Sequence, residues 1–163
     1  SRAYPGRRLV PTPDPRRLLL EELAGVSTRL GRRLRTVALL ENADYTTGTD
    51  EFGSLARDLS QEGLTAFVAD PRQCRVSRGR LMAGDREVDM IYRDCELSEF
   101  VEMEEGGARL RAMRRAIQEG RLVSGLLWEF DHKSCWEILT DPTYARAFTP
   151  SQHRLAVRQA WRP

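Results

Sequence analysis

The chain has 163 residues, of which 40% are hydrophobic and 31% are charged, as is typical of one folded domain with a highly charged surface. Lys and Arg number 26 against 24 Asp and Glu, and a net charge of +2 is too small to indicate a nucleic-acid or membrane surface by itself. We therefore expect neither nucleic acid nor a membrane as a partner.

The cysteines and apolar runs also exclude several classes of protein. Three cysteines without C-x-x-C spacing argue against a disulfide framework and against a structural zinc site. No apolar run approaches the ~18 residues of a membrane span, and the start lacks a signal-peptide pattern, so a cytoplasmic location is expected. The arginines cluster mostly among helix-like residues. Solvated helix faces explain these clusters most simply, and a phosphate-binding patch is the alternative.

Residues 1–13 contain three prolines and a glycine among arginines, which predicts an arm or linker before a single α/β domain over residues 14–163. Asp14 and Pro15 combine an N-cap residue with proline at the first helical position. Apolar residues follow at helical spacing as far as Gly31, and this pattern predicts the first helix.

The next segment predicts a strand, a helix and a second strand. Residues 36–40 form a short apolar run typical of a buried strand, and a polar loop follows it. A helix is expected to begin after Thr49 or Asp50 and to end at Gly63, before a strand over residues 64–68. This order predicts parallel strands joined by a right-handed crossover.

The second half continues the alternation. Gly79 suits the turn of a hairpin at residues 75–82, residues 87–93 fit a core strand, and a helix ending near Gly120 precedes a strand over residues 122–128. The fold class expected is a three-layer Rossmann-like α/β domain, with a mainly parallel sheet of about four or five strands and an added hairpin.

Ligands of open α/β sheets gather at the carboxyl ends of the strands, so the loops that follow strands carry the candidate residues. These loops are residues 41–50, 70–72, 93–96 and 129–134. The first lies before a helix N-terminus, which favours an anion, although a simple helix cap is the preferred explanation of its threonines. Neither G-x-G-x-x-G nor the phosphate loop G-x-x-x-x-G-K-[ST] occurs, and their absence argues against nicotinamide and P-loop enzymes.

The sequence contains little that supports a hydrolase. His132 and His153, the two histidines, lack the spacing of a zinc hydrolase, and no G-x-S-x-G elbow exposes a serine. A Cys–His or Ser–His pair formed in space stays open. Asp131 is best explained as the N-cap of a helix that follows it, and neither a catalytic triad nor a metal site is expected.

Several weak motifs in a fixed order resemble one known family. They are V-A-L-L-E-N, T-D-E-F-G-S-L-A-R-D-L, G-L-T-A-F-V-A-D-P-R, E-V-D-M-I-Y-R-D-C-E-L-S-E-F and D-H-K-S-C-W-E-I-L-T-D-P. Over residues 35–162 the chain resembles the pre-ATP-grasp part of circularly permuted ATP-grasp proteins, relatives of glutathionylspermidine synthase. Asp94 departs from the family's pattern, which has a second arginine there, and Gln152 replaces an acidic residue.

The resemblance implies the substrate-side domain of an ATP-dependent carboxylate–amine ligase-like protein, a fragment that is not catalytic alone. It implies the missing ATP-grasp lobes as partners, ATP and Mg²⁺ as cofactors of a full-length protein with none in this segment, and a small anionic or peptide-like substrate. The substrate-binding residues expected are Thr46, Thr47, Gly48, Thr49, Asp50, Glu51, Arg93, Lys133 and Ser134.

Two alternatives from other classes stay open. The first is a non-catalytic α/β interaction module whose Arg-rich helices contact a partner, and a homo-oligomer is compatible with either hypothesis. The second, a small nucleotide or methyl-donor binder, has less support because the first strand–helix loop lacks the glycines that such a site requires.

Overall fold

A computed structural model describes residues 14–45, 50–124, 135–152 and 154. The contacts divide the chain into two compact units, the first ending at Ser124 and the second beginning at Gly125. A single domain over residues 14–163 therefore stays a prediction. The arm at residues 1–13 lies outside the described residues, as do most of the strand expected at 122–128 and the helix cap at Asp131.

The first unit alternates helices and strands. Its helices are α1 (Pro15–Arg29), α2 (Glu51–Gln61), α3 (Leu97–Glu105) and α4 (Arg111–Gln118). Its strands are β1 (Thr36–Leu40), β2 (Thr65–Ala69), β3 (Cys74–Ser77), β4 (Arg80–Ala83), β5 (Arg86–Glu87), β6 (Met90–Arg93) and β7 (Leu122–Val123). The second unit contains α5 (Cys135–Thr140) and the 3₁₀ segment Pro142–Ala147. Among the described residues, no helix combines the length and apolar character needed to cross a membrane.

The start of α1 follows the predicted cap. The Asp14 carboxylate accepts a hydrogen bond from the Arg16 amide at 3.0 Å, and Pro15 occupies the first turn, where its missing N–H costs nothing. At the other end Gly31 has φ 64°, a left-handed conformation that glycine adopts without strain. The predicted bounds of this helix are therefore confirmed.

Four parallel strands form the main sheet, in the order β2-β1-β6-β7. The α/β class and the parallel sheet are thus as predicted. The side chains of β1 from Val37 to Leu40 are fully buried, so both faces of the sheet are covered at this central strand. On one face Val37 and Leu39 pack in a cluster with Leu23 of α1 and Leu59 of α2.

The chain steps outward from the centre of the sheet in both directions. It passes from β1 to β2 on one side and from β6 to β7 on the other. Because crossovers between parallel strands are right-handed, these opposite steps place α2 and the α3–α4 pair on opposite faces. The direction in which successive strands are added to the sheet therefore reverses between β1 and β6, and we call this point the reversal of strand order.

The hairpin lies where the sequence predicts it, and its strands β3 and β4 form a separate antiparallel sheet together with β5. Arg78 (φ 48°) and Gly79 (φ 77°) form its two-residue turn, where left-handed backbone matches the twist of the strands. The strand expected at residues 87–93 is split: β5 pairs with β4, and β6 joins the parallel sheet. The chain changes sheets at Val88 and Asp89, whose amides donate to Leu81 and Thr36 respectively.

Candidate functional site

The reversal of strand order defines a crevice beyond the carboxyl ends of β1 and β6, where open α/β sheets bind ligands. Glu41 follows β1 and Asp94 follows β6. The Glu41 amide donates to Ala69 at 3.1 Å and the Asp94 amide donates to Leu40 at 3.0 Å, which extends the sheet's hydrogen bonding one residue past the strands. Both residues are therefore fixed by backbone pairing at the rim of the crevice.

The carboxylates of Asp50, Glu51 and Asp94 lie close enough to Glu41 to repel its charge, and we call these four residues the acidic rim. Partial burial raises the pKa of Glu41, and repulsion from Asp94, Asp50 and Glu51 raises it further. The other three side chains are exposed to solvent. A raised pKa and neighbouring carboxylates are the conditions under which a carboxylate gains most from a bound cation.

Asn42 fixes the loop that leaves β1. Its side chain is 5% exposed, donates to Glu99 of α3 at 2.9 Å and accepts from the Asp44 amide at 3.1 Å. Tyr45 closes the same loop by donating to Glu102 at 3.0 Å, and this hydrogen bond raises the pKa of the Tyr45 hydroxyl. Asn42 was missed as a site residue, although an Asn two residues after a buried strand, with an Asp two residues further on, indicates an Asx turn.

The carboxyl end of β2 forms the opposite wall of this loop. Asp70 accepts from Arg72 Nε at 2.8 Å and from an Arg72 terminal nitrogen at 2.6 Å, and its carboxylate also accepts from the Ala43 amide at 3.0 Å. The other Arg72 terminal nitrogen donates to Asp44 at 2.6 Å. The guanidinium of Arg72 is therefore already bound to two carboxylates.

Arg93 lies at the end of β6 but is buried, with 6% of its surface exposed. Its guanidinium donates to the Ser124 carbonyl at 3.0 Å and to the Cys95 carbonyl at 2.5 Å. These bonds tie the chain after β6 to the chain after β7, which is a positioning role. A direct contact between Arg93 and a substrate stays a prediction.

Asp50 and Glu51 lie at the start of α2, where the sequence predicts that this helix begins. Asp50 occupies the N-cap position without a side-chain cap bond, and its carboxylate instead accepts from Arg57 at 3.1 Å. Gly53 lies beside it, and a Cβ at this position would displace the Asp50 carboxylate from its observed place. The remaining predicted substrate residues lie outside the described part of the chain: Thr46, Thr47, Gly48, Thr49, Lys133 and Ser134.

The charges of the described crevice favour a cation rather than an anion. The acidic rim holds four carboxylates, of which Asp50 is paired with Arg57, whereas Arg72 is bound to two other carboxylates and Arg93 to carbonyls. Two carboxylates at the first turn of α2 also oppose an anion at that helix N-terminus. Within the described ranges, no group of three or more His, Cys, Asp or Glu side chains could hold a metal ion.

Comparison with known proteins identifies no relative of this chain. No family model matches the sequence, and neither a curated protein nor a solved structure matches it significantly.

Proposed function

We propose that this chain is the substrate-side domain of an ATP-dependent carboxylate–amine ligase-like protein, with a Rossmann-like, pre-ATP-grasp fold, and that the acidic rim binds the amine substrate. The observation that supports the amine is that Asp50, Glu51 and Asp94 lie within electrostatic range of Glu41, which follows β1 at the rim of the crevice. Carboxylates attract an ammonium group, and partial burial strengthens that attraction. Lys133 stays a predicted substrate-binding residue.

The proposed chemistry has two steps. The substrate carboxylate takes the terminal phosphoryl group of ATP and becomes an acyl phosphate. The amine nitrogen then attacks the acyl carbon, forms the amide bond and displaces phosphate. ATP and Mg²⁺ would be bound by the ATP-grasp lobes of such a protein.

The acidic rim would act on the amine before the second step. An amine reaches the site as an ammonium ion, and one proton must leave the nitrogen for it to attack. Glu41 is the best acceptor of that proton, because a carboxylate with a raised pKa is a stronger base than an ordinary one. Asp94 would hold the charge of the incoming ammonium group.

Titration calorimetry at low salt and pH 7.5 tests the amine site, with 1,4-diaminobutane as the cationic probe and succinate as the anionic probe. We expect the diamine to bind more tightly, and Glu41→Gln or Asp94→Asn to weaken it about 2- to 5-fold, the effect of one exposed charge pair. Glu105→Gln is the matched control, an exposed glutamate at the end of α3. Tighter succinate binding, or equal losses in the control, would contradict the proposal and favour the interaction module.

A further inference from the structure

Strand β2 forms an edge of the parallel sheet and lacks the usual protection of an edge. Its sequence, T-A-F-V-A, contains no charged residue, no proline and no glycine. Thr65 and Val68 are exposed, the latter by 38%. Natural edge strands commonly carry charges, prolines or bulges that prevent pairing with another chain, so an uncharged, regular edge indicates a pairing surface.

The backbone of β2 offers its free hydrogen-bonding groups in a symmetric pattern. The Thr65 amide donates to Arg35 at 2.7 Å, and the Ala69 carbonyl accepts from Glu41 at 3.1 Å, so both residues face β1. Because peptide groups alternate in direction along a strand, Phe67 also faces β1, and Ala66 and Val68 face outward. Among the described residues, no strand pairs with that outer side.

This pattern is complementary to itself. When two copies of β2 run antiparallel with Phe67 on the two-fold axis, Ala66 of one copy lies opposite Val68 of the other. Both residues face outward, so each such pair exchanges two hydrogen bonds, and the two pairs exchange four. A two-fold axis brings the identical strand of a second copy into this register, and β2 carries no charge that would repel it. We propose that two copies of this chain pair through β2 and form a continuous sheet with an isologous interface.

A groove and a turn border β2. A groove of about 250 Å³ runs between Phe67–Ala69 and the turn at residues 84–86. Arg75 fixes this turn by donating to the Gly84 carbonyl and, at 3.1 Å, to the Asp85 carboxylate. The Arg86 guanidinium lies 4.7 Å from the centre of the Phe67 ring and covers its face. The turn thus borders β2, and among the described residues it forms no strand pairing with the outer side of β2.

Multi-angle light scattering across a concentration series tests the dimer. The wild-type chain is expected to show twice its mass of 18.6 kDa at about 100 µM. Val68→Lys should weaken association at least tenfold, because it places two charges in the interface. Val76→Lys on β3 is the matched control, since Val76 is 39% exposed and Val68 is 38% exposed. A monomeric wild type, or equal losses in both variants, would overturn the proposal. Circular dichroism verifies that each variant is folded.

A disulfide cross-link tests the register without adding a charge to β2. In this register Phe67 of one copy lies opposite Phe67 of the other copy as a non-hydrogen-bonded pair. Their Cα atoms would be about 4.5 Å apart, a distance that a disulfide can span. Phe67→Cys should therefore form a covalent dimer on mild oxidation, faster than Val76→Cys and faster than the wild type, whose Cys74 and Cys95 are buried. Equal rates in the two variants would exclude this register. Dimer formation and amine binding are separate measurements, so either can fail alone.

Discussion

Asp70 carries the densest set of hydrogen bonds in the crevice, and its replacement by asparagine is the sharpest test of the described geometry. One carboxylate oxygen accepts from the Arg72 amide at 2.7 Å and from Arg72 Nε at 2.8 Å. The other accepts from the Ala43 amide at 3.0 Å and from an Arg72 terminal nitrogen at 2.6 Å. Asp70→Asn keeps one oxygen and places an NH₂ group against the donors of the second.

The expected loss follows from those two bonds. Each is worth about 1–1.5 kcal/mol, and the bond to the charged guanidinium lies at the upper end. Arg72 is 37% exposed, so water compensates part of its loss. We expect the free energy of unfolding to fall by about 2 kcal/mol, which lowers Tm by about 4–8 °C for a chain of this size.

Urea denaturation at pH 7 measures the change, with Asp85→Asn as the control. The Asp85 side chain is fully exposed and makes one ion pair with Arg75, so its loss should stay within about 0.5 kcal/mol. Equal stability of the two variants would refute the role assigned to Asp70.

The same comparison has a defined pH dependence. The Arg72 hydrogen bond lowers the pKa of Asp70 below its ordinary value, so the unfolded chain binds the proton more tightly than the folded one. The stability that Asp70 contributes is therefore complete above about pH 4, the unfolded pKa, and is lost as the pH falls through the folded pKa. The difference between wild type and Asp70→Asn should be constant from pH 5 to 7 and shrink below pH 4.

Three further predictions concern other parts of the first unit. Asp89→Ala should lower the free energy of unfolding by about 1–2 kcal/mol in urea, because the Asp89 carboxylate accepts from two amides at the start of β1, each at 2.9 Å; an unchanged midpoint would contradict this. Burial raises the pKa of the Cys74 and Cys95 thiols to about 12, so peptide mass mapping should find both unmodified after iodoacetamide treatment of the folded protein at pH 8, and rapid labelling would refute their burial. Leu39→Ala should lower the free energy of unfolding by about 3 kcal/mol, measured by thermal denaturation, because Leu39 is fully buried in the central strand. A decrease below about 1 kcal/mol would contradict this prediction.

Much of the local structure could be predicted from the sequence, because interactions between residues close in sequence determine it. Asp14 and Pro15 determine where α1 begins, since a cap oxygen and a fixed φ act within one turn. The apolar run at residues 36–40 matches β1, and Gly79 marks the hairpin turn. The helix α3 was not among the predicted elements. Its N-terminus is a capping box between Glu96 and Glu99, in which the side chain at each end accepts from the main chain of the other.

The sequence by itself determined the alternation of helices and strands, the first helix, the central strand, and the absence of a dinucleotide or phosphate-loop motif. Only the tertiary structure decided which strands are neighbours, because hydrophobic periodicity says which residues are buried and not what they are buried against. It placed β6 beside β1 and so brought Asp94 to Glu41 across a long separation in sequence. It also turned Arg93 inward to two carbonyls, a choice that depends on the chain after β7 lying within reach.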